Sequence, residues 1–187
     1  GGNIGLGVSG ISQLYGFNVS IGAATQSSMI INGVNTAAFI RAEFLGTEGG
    51  QSTEPLVALK GSGLALFKSV IKEHSGPGLL AAFAEIDTAD CQVSPVCPFS
   101  NFVFLEDVLI DDVVGRGLDL QYAAIGVHRS MIRQVHRRGA ATPAVGLHML
   151  QTFGRIWGEG VVEAVDGVCV KTLSARGRIH DLAMKRC

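Results

Sequence analysis

No Asp, Glu, Lys, Arg or His occurs before Arg41 in this 187-residue chain. A solvated surface of that length ordinarily carries charge, so the segment is expected inside a core or against another chain. Charge is scarce throughout: charged residues make up 17% against 47% hydrophobic, and mean hydropathy is +0.34. That balance excludes a disordered composition. No run of eighteen apolar residues survives the interrupting Gly, Ser, Asn and Gln, which excludes a membrane-spanning helix. Nor is there an excess of one sign: with a net charge of −1 and a pI near 6.6, no global pull toward nucleic acid or anionic membranes exists. The first residues offer neither Met nor a charged n-region with an apolar h-region, and read as those of a trimmed product.

Motifs that carry chemistry are equally sparse. Neither C-x-x-C nor H-E-x-x-H is present among the four cysteines and five histidines, so no metal site and no cofactor are expected. Gly5, Gly7 and Gly10 match the spacing of a dinucleotide-binding loop. That fingerprint needs a strand before it, a helix after it and an acidic residue about twenty positions on, and none of these is present. Ser9 lacks the second glycine of a nucleophile elbow, since Ile11 stands there. His74 and Ser75 are sequence neighbours whose side chains diverge, so they make no catalytic pair. Cys91 and Cys97, separated by five residues that include Pro95, suit a small disulfide loop in an oxidising setting, a lean toward an extracytoplasmic location or a large particle.

What is present is alternation. Ile4, Leu6 and Val8 alternate with Gly and Ser, and Tyr15, Phe17, Val19 and Ile21 alternate with Gly, Asn and Ser, which is the period of strands with one apolar face. Asn32-Gly33 and Asp166-Gly167 read as hairpin turns between strands. Residues 46–55 form a Gly/Ser/Thr/Glu loop that could act as a hinge. Leu64, Phe67, Val70 and Ile71 fall at helical spacing before a Ser-Gly-Pro-Gly stop, LLAAFAEID reads as a buried strand, and NFVFLEDVLIDDVVG is β-rich. The stretch from Leu120 to Gly139 reads as a strand running into a helix, Phe153 and Trp157 as core or interface anchors at helical spacing, and RGRIHDLAMKR as a closing helix. No internal repeat of fixed period is apparent. The expected fold is α+β: an antiparallel, hairpin-rich sheet with two or three helices, divided into an N-terminal β arm or first sheet (1–45) and a body (56–187).

Three functional classes follow. The leading one is a non-enzymatic structural subunit, a homo-oligomer or assembly component that self-associates into a ring, tube or envelope-associated particle. Its contacts would run through Ile4, Leu6, Val8, Tyr15, Phe17, Val19 and Ile21, and strand-mediated membrane association is compatible with the same alternation. The second is a small hydrolase or transferase assembled from distant residues such as His128, His148, Asp111 and Cys169, which must then converge on one pocket. The third is a phosphate- or nucleic-acid-binding module. As a helix, residues 129–138 would align Arg129, Arg133 and Arg137 in one stripe, with His136 and Arg138 beside it, for an anion or partner surface. Nucleic acid is disfavoured by the missing interleaved aromatics, and Glu106, Asp107, Asp111 and Asp112 offer partners within the chain.

Overall fold

The computed structural model describes residues 4–22, 26–47, 52–82 and 101–187. Every strand in it pairs in parallel with the strand three elements away. Seven successive turns of chain result: β1 (Ile4–Ser9), β2 (Gln13–Phe17) and β3 (Ser20–Ile21); β4 (Ser27–Asn32), β5 (Thr36–Ile40) and β6 (Glu43–Leu45); β7 (Val57–Lys60), β8 (Gly63–Phe67) and β9 (Val70–His74); β10 (Leu79–Ala82), β11 (Asn101–Glu106) and β12 (Leu109–Val114); β13 (Arg116–Gln121), β14 (Ala123–His128) and β15 (Met131–His136); β16 (Ala144–Leu150), β17 (Phe153–Trp157) and β18 (Gly160–Val165); β19 (Gly167–Leu173), β20 (Arg176–Ile179) and β21 (Leu182–Lys185). The first strand of each turn joins sheet A, the second sheet B and the third sheet C, seven strands in each. The chain is a three-sided β-solenoid, whose coils lie about 4.8 Å apart.

The corners are made by left-handed residues. Between sheets A and B these are Gly10, Gly33, Gly61, Tyr122, Gln151 and Ser174; between B and C they are Asn18, Arg41, Lys68, Asp107, Arg129 and Asp181. A non-glycine residue in this region costs free energy, and the cost persists only where surrounding bonds hold it. Here the parallel ladder runs straight through the corner. Arg41 N–H donates to Phe67 O (2.9 Å), Lys68 to Glu106 O (2.9 Å), Asp107 to His128 O (3.1 Å) and Arg129 to Trp157 O (3.1 Å). Inside the B–C corner, Ser69 and Ser130 are buried. Each donates its hydroxyl to the carbonyl two residues back and accepts the Ala42 or Val108 N–H of the preceding coil (3.0 and 3.2 Å), so these buried hydroxyls and amides are paired with one another.

The core consists of stacked columns. In sheet A, Leu6, Met29, Val57, Leu79, Leu118, Leu147 and Val170 stand in register; in sheet C, Ile21, Phe44, Ile71, Ile110, Ile132, Val162 and Met184 do. Where the two sheets meet, Gly78, Gly117 and Gly146 leave room for the branched column. A Cβ on Gly117 would stand 2.5 Å from Ile132 Cγ2 and 2.7 Å from Gly146 O.

These findings correct the expected α+β fold. No helix occurs among the described residues, and all pairings are parallel, so the hairpin reading also falls. Asn32-Gly33 is a corner between β4 and β5, where the left-handed Gly33 that a hairpin would need turns a solenoid corner instead; Asp166-Gly167 is the step from β18 to β19, and neither of its residues is left-handed. The segment from Leu64 to Ile71 is two strands bent at Lys68, whose apparent helical spacing is the alternation of β8 and β9 interrupted by the corner. The basic stretch is the end of β14, a corner and β15, and the closing segment is β20 and β21. A repeat does exist. Coil-to-coil offsets in sheet A run from Leu6 to Met29 (23 residues), Met29 to Val57 (28), Val57 to Leu79 (22), Leu79 to Leu118 (39), Leu118 to Leu147 (29) and Leu147 to Val170 (23). Insertions after β6, β10 and β15 break a basal 22–23, which hides the period from an alignment at fixed spacing.

Candidate functional site

The three outer faces differ in chemistry. On sheet C, Lys72, Asp111, Arg133, Glu163 and Lys185 stand in one register column with alternating sign. Arg133 donates to Asp111 (2.8 Å), which raises the guanidinium pKa chiefly through that hydrogen bond. At the B–C corner, Arg129 grips Asp107 (2.8 and 3.0 Å) and Glu106 (2.9 Å); the Arg129 hydrogen bonds hold the Asp107 carboxyl below its ordinary value. His136 lies 3.2 Å from Asp112 and 3.5 Å from Asp166. Arg138 donates to the Ser52 and Ser75 carbonyls, tying the 137–143 loop to the segments after β6 and β9. Arg129, Arg133 and His136 therefore all have acidic neighbours within the chain and do not form a helical stripe.

On sheet A, Asp119 and His148 are adjacent in register and only 4% and 7% exposed. The Asp119 carboxylate lies 2.7 Å from His148 Nδ1 and accepts from Arg116 Nη1 and from Gln121 Nε2 (3.2 and 3.3 Å). An ionised carboxylate can only accept, so it fixes the imidazole with Nδ1 protonated. Asp119 and Arg116 line a cleft closed on one side by Arg138–Thr142. With three donors on the carboxylate, the cluster is a closed polar network beneath that loop. Sequence reading missed Asp119; its only signal is the 29-residue offset to His148. The residues expected to converge do not: His128 is on the outer face of sheet B, His148 on that of sheet A and Asp111 on that of sheet C, while Cys169 points inward and is bonded to Cys187. The Cys91–Cys97 pairing lies outside the described residues, and among those described no three His, Cys, Asp or Glu side chains are grouped to hold a metal.

Sheet B presents a different surface. Its inner columns are Leu14, Ala37, Leu64, Val103 and Ile125, and Gly16, Phe39, Leu66, Leu105, Val127 and Ile156. The alternate positions therefore face out, and they hold Tyr15, Phe17, Phe67, Phe102, Phe104, Phe153 and Trp157. Tyr15, Phe17, Phe102 and Phe153 are 66%, 61%, 52% and 55% exposed. Between these rings stand Ala38, Ala65, Ala124 and Gly126, which form a low floor. Gly126 is needed there: a Cβ would stand 2.8 Å from the Phe104 ring, which leans over it toward Trp157 (centroids 6.3 Å apart). Phe67 packs on Phe104 (5.6 Å), His128 stacks on Trp157 (5.2 Å, 22°), and the Arg41 guanidinium lies 5.9 Å from the Phe17 ring.

The residues expected to mediate self-association divide between these surfaces. Leu6, Val8 and Ile21 pack on the core of the first coil, Val19 is half-buried at its corner, Tyr15 and Phe17 belong to the aromatic face, and Ile4 is exposed at the start of β1. β1, β2 and β3 pair with β4, β5 and β6 of the same chain. Phe153 and Trp157 anchor no core: they share the outer face of β17. No protein-family model matches the chain, and no curated protein matches it in sequence.

Proposed function

We propose that the solenoid is a binding module that holds an extended sugar polymer along the outer face of sheet B. The observation that carries this reading is the gathering of seven of the twelve aromatic residues on one outer face of three, over a floor of alanine and glycine. Large exposed apolar patches are uncommon on soluble domains and mark interaction surfaces. Aromatic rings standing proud of a flat sheet suit flat partners whose C–H faces lie on the ring planes. The rings stand on the first, third, fourth and sixth coils, so a linear polymer lying along the stack meets them at intervals.

A nucleic acid would also stack on such rings, but it brings one phosphate per nucleotide. From Tyr15 to Phe104 the face carries Arg41 and Lys68 as cations at its edge, its arginines Arg155, Arg176 and Arg178 are gathered at the C-terminal end alone, and the whole chain has a net charge of −1, which falls short of one cation per nucleotide along the platform. Sugar rings need no such neutralisation. The reading departs from self-assembly because the first-coil residues that alternate most cleanly are occupied within the chain or belong to this platform.

Trp157 is the single tryptophan and lies on the face, so its emission reports binding directly. Titration with soluble oligosaccharides is expected to quench or shift that emission. The double variant Phe102→Ala/Phe153→Ala is expected to weaken binding by about tenfold or more, from about 0.5–1.5 kcal/mol per aromatic contact. Unchanged Trp157 emission and no retention on any glycan would overturn the proposal.

A further inference from the structure

The aromatic face changes character at its C-terminal end, where Phe153, Arg155, Arg176 and Arg178 replace the alanines and phenylalanines of the earlier coils. Arg155 and Arg178 are direct register partners, and Arg176 is the partner of Phe153, on the same outer face as Arg178. Neighbouring strands lie about 4.8 Å apart, so two guanidinium groups leave the sheet side by side. Like charges in directly opposed positions destabilise a sheet.

Elsewhere among the described register pairs this arrangement is avoided. On sheet C, at the same spacing, Lys72, Asp111, Arg133, Glu163 and Lys185 alternate in sign, and at the B–C corner Arg129 is held by two carboxylates. Among the described residues no carboxylate lies within 4.0 Å of Arg155, Arg176 or Arg178, and all three are exposed. Arg155 and Arg178 line a groove of about 430 Å³ together with Phe102, Phe104, Phe153 and Trp157. That is within the usual size range of a small-ligand site.

We infer that this groove is an anion-recognising subsite, and that the polymer held on sheet B is acidic, with a carboxylate-bearing sugar residue seated between the aromatic rings and the Arg155/Arg178 pair. Guanidinium forks match a planar carboxylate with two parallel N–H donors each, and an anion placed between them removes the repulsion that the bare pair carries. The aromatic rings supply the stacking surface, and the arginines select the charged sugar over its neutral counterpart. The inference rests on the sugar-binding reading above.

The test is a Trp157 fluorescence titration of the wild type, Arg155→Gln, Arg178→Gln and Arg178→Lys with four probes: a uronic-acid oligosaccharide, a sulfated oligosaccharide, a neutral β-glucan oligosaccharide and an oligothymidylate. The expected result is tightest binding of the uronate, weakened at least tenfold by either Gln variant, and weakened by Arg178→Lys because the fork is lost although the charge remains. Added salt should weaken uronate binding, and affinity for the neutral glucan should stay within twofold across the variants. Equal affinity for uronate and neutral glucan, unmoved by the Arg variants, overturns the anionic subsite and leaves the sugar platform standing. Preference for the sulfated probe with Lys replacing Arg at no loss overturns carboxylate recognition. Absence of binding to every sugar overturns both readings, as does tighter binding of the oligothymidylate.

Discussion

Replacing Cys187 by Ser tests how the last coil is held. Cys169 lies in β19 with its side chain inward and buried, and the disulfide to Cys187 joins two residues 18 apart in sequence, closing the seventh coil on itself. A solenoid coil touches only its neighbours, and among the described residues the seventh coil pairs with the sixth. Its apolar residues Leu173, Ile179 and Met184 are exposed and Val170, Ala175 and Leu182 only partly buried against the core, so less burial holds it down than holds the inner coils. Loop-closure entropy for a cross-link of this span amounts to about 3 kcal/mol at 25 °C. The loss is expected to appear as local opening of the seventh coil, not as global unfolding. A penalty of about 3 kcal/mol corresponds to an opening equilibrium raised by roughly two orders of magnitude. Native-state hydrogen exchange reads this directly: the Arg176 and His180 amides donate to Thr152 O and Ile156 O of the sixth coil (2.8 and 2.9 Å), and both should exchange roughly a hundredfold faster in Cys187→Ser. Amides deeper in the stack, such as Lys68 and Asp107, should change little. Uniform acceleration across all coils, or none at Arg176 and His180, would refute the reasoning.

Three further outcomes follow from the core. Gly117→Ala drives a methyl group into Ile132 and the Gly146 carbonyl, and is expected to cost about 1–3 kcal/mol, seen as a lowered urea midpoint; an unchanged midpoint would show that the Ile132 column yields freely. Ser130→Ala removes the acceptor of the buried Val108 N–H and is expected to cost about 1–3 kcal/mol, whereas Ser130→Thr should recover part of it; equal stability of all three proteins would mean that water replaces the hydroxyl. His74 is buried with Nε2 donating to Glu54 O (2.9 Å) and Nδ1 bare, and burial lowers its pKa, opposed by that hydrogen bond and reinforced by the Arg138 charge. The unfolded imidazole titrates near 6.5, so the unfolded chain binds more protons below that value and stability falls as pH drops through it, remaining full above. Urea midpoints of wild type and His74→Leu between pH 7.5 and 5.5 check this, and parallel pH profiles would exclude His74 as the source.

The alternation of Ile4, Leu6 and Val8 was legible because a half-buried strand has the same period in any β architecture. The pairing was not. Asn-Gly favours a left-handed residue, here Gly33, and that residue reverses the chain in a hairpin but turns it by only one side of a triangle in a solenoid. The local signal is common to both, and only the destination of the next strand differs. Asp166-Gly167 adopts no left-handed residue and simply leads from β18 into β19. Helical spacing from Leu64 to Ile71 has a different origin: Leu64 and Ile71 face the core while Phe67 and Val70 face outward, and the corner at Lys68 brings apolar residues of both parities into a run that resembles period 3.6.

The same geometry decides what could be read of the candidate surface. Phe102, Phe104, Phe153 and Trp157 are separated in sequence by as many as 55 positions, from Phe102 to Trp157, and nothing local links them. They meet because the inward columns fix which parity of each strand faces the core, and the remaining parity is then forced outward in every coil at once. One insertion changes the offset between coils but not the parity within them, so a face can persist through irregular repeat lengths. For Arg155 and Arg178 this matters most: a strand slip of one residue would bury both guanidinium groups, and the buried Ile156, with its partner Ile179 in the same inward column, prevents it. The side-by-side arginines are therefore a consequence of a register that hydrophobic packing enforces. A strained pair enforced in this way is available to an anion without any rearrangement of the fold.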